Sequence, residues 1–105
     1  MNIQISTDKN IDGGEKFSTY VNGVVNQAVS GFNTQITHVG VHFSDQNSSK
    51  IGFQDKRCVV EFHIAGRSTT AVTHDADSVD EALLGAVEKA RHSIEHTLGR
   101  MNKRS

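Results

Sequence analysis

The spacing of apolar residues changes along this chain of 105 residues, and these changes constrain its fold more than any other feature. Ile3 and Ile5 alternate with polar residues, which is the period-two pattern of a strand with one buried face. From residue 15 to residue 29 the apolar residues recur at steps of three and four, as in an amphipathic helix. We therefore predict a first strand at about residues 2–7, followed by a first helix.

Three further strands are predicted after this helix. Two long segments alternate strictly between apolar and polar residues, and a short strand near residues 69–74 follows a turn at Ala65 and Gly66. A polar loop over residues 44–56 separates the two long strands. The residues that we assign to the buried side of the long strands are Thr37, Val39, Val41, Phe43, Cys58, Val60, Phe62 and Ile64.

A second helix begins after the short strand. Ser78 is followed three residues later by Glu81, which fits a capping box at a helix N-terminus. Apolar residues between Val79 and Met101 then form a single stripe, as expected for a long amphipathic helix. We expect residues 102–105 to form a frayed tail.

The element order βαβββα predicts a single α+β domain over residues 1–105. Because a helix connects the first two strands, these should be parallel with a right-handed crossover, while the last three strands form an antiparallel meander. The predicted architecture is a four-stranded mixed sheet with two helices packed on one face. Its core should contain Val24, Val41, Phe43, Val60, Phe62, Leu83, Val87 and Ile94.

The other sheet face is predicted to be open to solvent, and its histidines raise the question of a metal site. His38 and His42 would lie about 13 Å apart along one strand, too far to share a zinc ion. Only His63 and His74 could meet across two strands. The residues assigned to the open face are Asn2, Gln4, Ser6, His38, His42, Arg57, Val59, Glu61, His63, Val72 and His74.

No metal site and no catalytic site is predicted elsewhere in the chain. His92 and His96 have the spacing of a zinc-binding helix, but the catalytic glutamate of that motif is missing between them. Cys58 falls on a buried strand face, where a thiol is inert. Gly13 and Gly14 are not followed by the pattern of a phosphate-binding loop. We predict neither an enzyme nor a small-molecule substrate, and no cofactor.

The cysteine count and the absence of long apolar runs bear on where the protein acts. A single cysteine cannot form an intramolecular disulfide, which favours a reducing compartment. Charged residues among the first twenty argue against a signal peptide, and no apolar run reaches the roughly 18 residues of a membrane span. We expect a cytoplasmic protein without a membrane partner.

The formal net charge is −1, so the chain as a whole shows no sign of nucleic-acid binding. The distribution is uneven, however, because the second helix begins in an acidic segment and becomes basic from Lys89 onward. Lysine and arginine side chains can bind a phosphate backbone and release its counterions. The candidate RNA-binding residues are Lys9, Lys56, Arg57, Arg67, Lys89, Arg91, Arg100, Lys103 and Arg104.

Three short runs and the order of the elements resemble the ribosome hibernation-promoting factor and ribosome-associated inhibitor family, also called sigma-54 modulation or S30EA-like. The resemblance covers nearly the whole chain and is that of a short member without a C-terminal extension. The runs are Ile3-Gln4-Ile5-Ser6, Lys56-Arg57-Cys58-Val59-Val60-Glu61 and Ala71-Val72-Thr73-His74-Asp75-Ala76-Asp77.

The resemblance implies a stress factor that binds the small ribosomal subunit and its ribosomal RNA in the decoding channel and thereby inhibits translation. Lys56, Arg57, Lys89 and Arg91 match basic positions of the family, and Lys9 also falls near one. Where family members often end the second helix in a dense basic run, this chain has only Arg100, Lys103 and Arg104.

A different interpretation is a non-catalytic protein-interaction module that uses the open sheet face. The net charge of −1 would not hinder a protein partner. The oligomeric state is left open by the sequence.

Overall fold

The computed structural model describes residues 2–9, 11, 13–32, 34–46 and 55–103, and only the backbone of residues 101–103. The predicted βαβββα order is confirmed. The elements are β1 (Asn2–Thr7), α1 (Glu15–Ala28), β2 (Ile36–Asp45), β3 (Lys56–Ile64), β4 (Thr70–Ala76) and α2 (Val79–Lys103).

The four strands form one mixed sheet in the order β1-β2-β3-β4. β1 is parallel to β2, as the helical connection requires, and β2, β3 and β4 are successively antiparallel. Both helices pack on the same sheet face, where they enclose one core. The predicted core is confirmed, with Val24 half-buried at its margin and Val41, Phe43, Val60, Phe62, Leu83, Val87 and Ile94 buried.

The N-terminus of α2 is capped by Ser78, as its sequence predicts. The Ser78 hydroxyl accepts a hydrogen bond from the backbone N–H of Glu81 at 3.1 Å. The same hydroxyl donates to the Glu81 carboxylate at 3.0 Å, so the glutamate holds the capping side chain in place. The cap satisfies one of the backbone donors that the first helical turn leaves free. In the part of the chain that the structure describes, no helix has the length and hydrophobicity of a membrane span.

A β-bulge at the start of β2 changes the predicted alternation. Ile36 pairs with Ile64 and His38 with His63, so that Thr37 is an extra residue on β2. The alternation assigns Thr37 to the buried face, and this assignment is wrong: Ile36 is buried, and Thr37 is exposed on the open face.

The predicted side-chain orientation of β4 is wrong by one residue. Val72 pairs with Val60 and His74 with Cys58. Because directly paired residues point to the same sheet face, Val72 and His74 face the helices and do not belong to the open face. The His74 ring lies against α2 at Gly85, where a Cβ atom would overlap the ring. A glycine at this position therefore makes room for the imidazole.

Candidate nucleic-acid interface

The open face brings together histidines of β2 and β3. His38 and His63 are direct cross-strand partners, so the predicted meeting of His63 with His74 is wrong. The Thr37 hydroxyl lies 2.6 Å from Nδ1 of His63, across the bulge. Among the residues that the structure describes, no three histidine, cysteine, aspartate or glutamate side chains are placed to hold a metal ion.

A second polar pair on this face links His42 and Glu61. Nε2 of His42 lies 3.0 Å from Oε1 of Glu61, and both side chains are partly exposed. The pair lies above Gly40, where a Cβ atom would come within 2.9 Å of the Glu61 carboxylate. The absence of a side chain at Gly40 thus lets the two polar groups approach across the strands.

The basic residues at the start of β3 are neutralised by carboxylates. Nζ of Lys56 lies 3.1 Å from Asp55 and 3.6 Å from Asp45. The hydrogen bond to Asp55 raises the pKa of Lys56 above its ordinary value. Arg57 binds Asp75 on β4 through two hydrogen bonds. These two cations are predicted RNA contacts, and in the structure each already has a local counterion.

Arg91 on α2 is neutralised in the same way. Its guanidinium donates to Glu88 at 2.6 Å and to Glu95 at 3.0 Å, on the turns before and after it. The hydrogen bond to Glu88 raises the pKa of Arg91. Glu88 also lies 3.0 Å from His92, one turn further along α2. The middle of α2 therefore presents a mixed surface of charged groups that pair with one another.

Three other cations lie along the free edge of β4. Nζ of Lys89 donates to the backbone carbonyl of Thr73 at 2.8 Å, and Arg67 and Arg100 line a common depression further along the same edge. Within the described ranges, no carboxylate forms an ion pair with any of the three. We call Arg67, Lys89 and Arg100 the basic edge.

The remaining candidates lie apart from the basic edge or outside the described side chains. Lys9 is exposed after the C-terminal end of β1, at the opposite end of the sheet from the β3–β4 turn. Lys103 is the last residue of α2, but its side chain is not described, and Arg104 lies outside the described residues. The predicted set of nine is therefore not one continuous surface in the described part of the chain.

A depression at the junction of β4 and α2 brings several titratable side chains together. It has a volume of about 370 Å³ and is lined by His74, Asp75, Asp77 and Glu81. Asp75 is bound to Arg57 there, and no cysteine or serine nucleophile lines the depression. Cys58 lies in the core instead, and burial raises the pKa of its thiol to about 12.

The meeting of Arg67 and Arg100 was not predicted from the sequence, although each residue was a candidate. Residues 67 and 100 are far apart in the chain and meet because α2 runs antiparallel to β4. Lys89 near the middle of the helix reaches Thr73, and Arg100 near its end reaches the turn before β4. The change from acidic to basic residues along α2 indicates in the sequence that positive charge collects toward the end of this helix, but it does not indicate that Arg67 lies there.

The chain matches the family model described as "Sigma 54 modulation protein / S30EA ribosomal protein" over residues 3–102. It is similar in structure to a ribosomal subunit interface protein from Coxiella burnetii, with a TM-score of 0.75 and 13% identity over 94% of this chain and 99% of the other. The N-terminal domain of Thermus thermophilus Protein Y gives a TM-score of 0.72 with 14% identity, over 92% and 99% of the two chains. No curated protein sequence matches the chain. At these identities the structural likeness concerns the fold.

Proposed function

Because the chain belongs to the sigma 54 modulation protein / S30EA ribosomal protein family, we propose that it binds the small ribosomal subunit and inhibits translation. The observation that carries this proposal is the family match, which spans residues 3–102 and thus nearly all of the sheet and of α2. The protein would act in the cytoplasm as a stress or hibernation factor. It would do so by binding ribosomal RNA of the small subunit and would not catalyse a reaction. The Coxiella burnetii neighbour is described as a ribosomal subunit interface protein, which is consistent with such a location.

The basic edge supplies the chemistry that this function needs. Arg67, Lys89 and Arg100 form no ion pair with carboxylates of the described residues, although Lys89 lies near enough to Asp75 to interact with it electrostatically. Phosphate groups of RNA can therefore become their counterions. Lys56, Arg57 and Arg91 already have carboxylate counterions, so a phosphate at these positions competes with a local negative charge. RNA binding should therefore be moderate and sensitive to salt.

One observation favours a second candidate function, a protein-interaction module. The cations on or beside the open face, Lys56 and Arg57, are balanced by Asp45, Asp55 and Asp75. A sheet face without excess positive charge suits a protein partner at least as well as it suits RNA.

Cosedimentation with purified ribosomal subunits tests the proposed function. The protein should pellet with small subunits at low salt, and less should pellet as salt rises, because each phosphate contact releases counterions. Large subunits are the matched control for nonspecific binding to ribosomal RNA. Failure to pellet with small subunits even at low salt, or equal pelleting with both subunits, would contradict the proposal. Recovery of one stoichiometric protein without ribosomal RNA would favour the protein-interaction module.

Inhibition of translation requires a separate experiment. The purified protein should reduce synthesis of a reporter in a cell-free translation extract. Addition of excess small subunits should restore reporter synthesis. If the protein binds small subunits but does not reduce reporter synthesis, the proposed binding stands and the proposed inhibition is wrong.

A further inference from the structure

The end of the basic edge forms a small depression with the lining of an anion site. It has a volume of about 210 Å³ and lies between the β3–β4 turn and the last turns of α2. It is lined by the buried residue Ile64, by two arginines and by three residues with hydroxyl groups. The polar lining residues are Arg67, Ser68, Thr70, Thr97 and Arg100.

The local backbone explains why Arg67 reaches this position. The N–H of Arg67 donates to the carbonyl of Ile64 at 2.9 Å, which closes a four-residue turn. Gly66 lies third in that turn with φ +81°, a value that L side chains rarely adopt. The turn therefore places Arg67 and the adjacent Ser68 directly before β4, beside the end of α2.

The charge around the depression is what distinguishes it from the other cationic sites. Both arginines line the depression, and none of its lining residues among those that the structure describes carries a carboxylate. Two cations that share one small depression repel each other unless solvent or an anion screens the repulsion. The arrangement contrasts with Arg57 and Arg91, whose guanidinium groups are already bound to carboxylates.

We propose that this depression binds a backbone phosphate of single-stranded RNA, with Arg67 and Arg100 as the charged contacts and the hydroxyls of Ser68, Thr70 and Thr97 as neutral donors. Arginine matches phosphate through pairs of parallel N–H groups, and hydroxyl groups complete such sites. Lys89 lies about 16 Å away along the helix axis. It can contact a further phosphate of the same strand. This inference rests on the proposed function, because it names one phosphate contact of the same RNA-binding surface.

A titration observed by NMR tests the site directly. A uridine hexanucleotide should shift the backbone signals of residues 64–70 and 97–100 and the Nε–Hε signals of both arginines. Uridine, which has no phosphate, should leave these signals unchanged. Inorganic phosphate that competes for the same signals at higher concentration would support the shared phosphate chemistry. Binding of inorganic phosphate without binding of the hexanucleotide would overturn the assignment to RNA, and so would hexanucleotide shifts confined to other surfaces.

A pair of charge-matched variants separates this site from general electrostatics. Arg67→Gln with Arg100→Gln and the single change Lys16→Glu each lower the net charge by two, and Lys16, exposed at the start of α1, is not among the candidate RNA contacts. The first variant should bind the hexanucleotide about tenfold more weakly or worse, because it loses charge-assisted hydrogen bonds. Its salt slope should fall by about one for the lost phosphate. The second variant should keep the slope of the unaltered protein, and equal losses in the two variants would contradict the inference.

The same variants in the cosedimentation experiment distinguish the two proposals. If the unaltered protein and the Arg67/Arg100 variant bind small subunits with the same salt slope, the phosphate site is wrong and the proposed function stands. If the unaltered protein does not bind small subunits but the depression still binds the hexanucleotide, the proposed function is wrong and the site stands. Circular dichroism and thermal unfolding establish that each variant is folded.

Discussion

Arg57 on β3 and Asp75 on β4 are direct cross-strand partners joined by two parallel hydrogen bonds. Nε of Arg57 lies 2.8 Å from Oδ1 of Asp75, and its second donor lies 3.1 Å from Oδ2. The hydrogen bond from Arg57 lowers the pKa of Asp75 below its ordinary value, and Asp75 in turn raises the pKa of Arg57. The pair thus fixes the register of β4 at the end of the strand farthest from the turn.

The first prediction concerns the pH dependence that this pair gives to stability. Asp75 has a lower pKa in the folded protein than its ordinary value of 3.8, so its ionised form stabilises the fold at pH values above 3.8. This contribution is lost as the pH falls from 3.8 through the pKa of the folded state. Asp75→Asn should therefore be less stable than the unaltered protein near pH 6, and the difference should shrink below about pH 4. Urea unfolding at a series of pH values measures it. In an Arg57→Gln background the same change should show little of this pH dependence.

The second prediction concerns the glycine that faces His74. In Gly85→Ala the new methyl group would overlap the imidazole ring, and overpacking costs typically about 1–3 kcal/mol. Gly99→Ala is the matched control on α2, because nothing lies within 4 Å of its new methyl group. It should gain about 0.5–1 kcal/mol from helix propensity. The measured stability of Gly85→Ala should lie about 1–3 kcal/mol below that of the control, and His74→Ala should remove most of this gap.

The third prediction concerns the centre of the core. Phe62 is 1% exposed, so Phe62→Ala should leave a cavity and lower the free energy of unfolding by about 3–5 kcal/mol. Leu84→Ala removes a side chain that is 47% exposed and should cost about 1 kcal/mol or less. Thermal and urea unfolding of both variants measure the difference. Similar losses in the two variants would mean that Phe62 does not anchor the contact between helices and sheet.

The fourth prediction concerns the single cysteine. With a pKa of about 12 and no exposed surface, Cys58 should be almost entirely protonated and shielded at pH 8. A thiol-reactive dye should therefore label the native protein far more slowly than the urea-unfolded protein, at a rate set by transient opening. Rapid labelling of the native protein would contradict the burial of this strand face.

Sequence periodicity predicted the fold well wherever large apolar side chains alternate with polar ones. Val39, Val41, Val60 and Phe62 could face only the core, so the predicted orientation of their strands is confirmed. β4 carries one larger apolar residue, Val72, among small and polar ones such as Thr73, His74 and Asp75, so alternation gave only a weak indication of its orientation. The bulge at Thr37 could not be predicted from the sequence either, because threonine is tolerated on both the buried and the exposed face of a strand.

The candidate RNA contacts were predictable only as residue types. Lysine and arginine could be named from the sequence, but whether each is free depends on carboxylates that arrive from other strands and turns. Asp75 reaches Arg57 only because β3 and β4 pair in the observed register. Arg67 and Arg100 meet only because α2 returns along β4. Tertiary packing therefore divides the described basic residues into those that form ion pairs and those that do not.

The hydrogen bond from Lys89 to Thr73 has a consequence for how the protein behaves at high concentration. β4 is an outer strand of the sheet, and an outer strand with open carbonyl groups is a template for pairing with another molecule. The Lys89 ammonium occupies one of these carbonyl groups, and its charge would be buried against an incoming strand. Lys89 thus discourages edge-to-edge aggregation, a role that does not depend on any contact with nucleic acid.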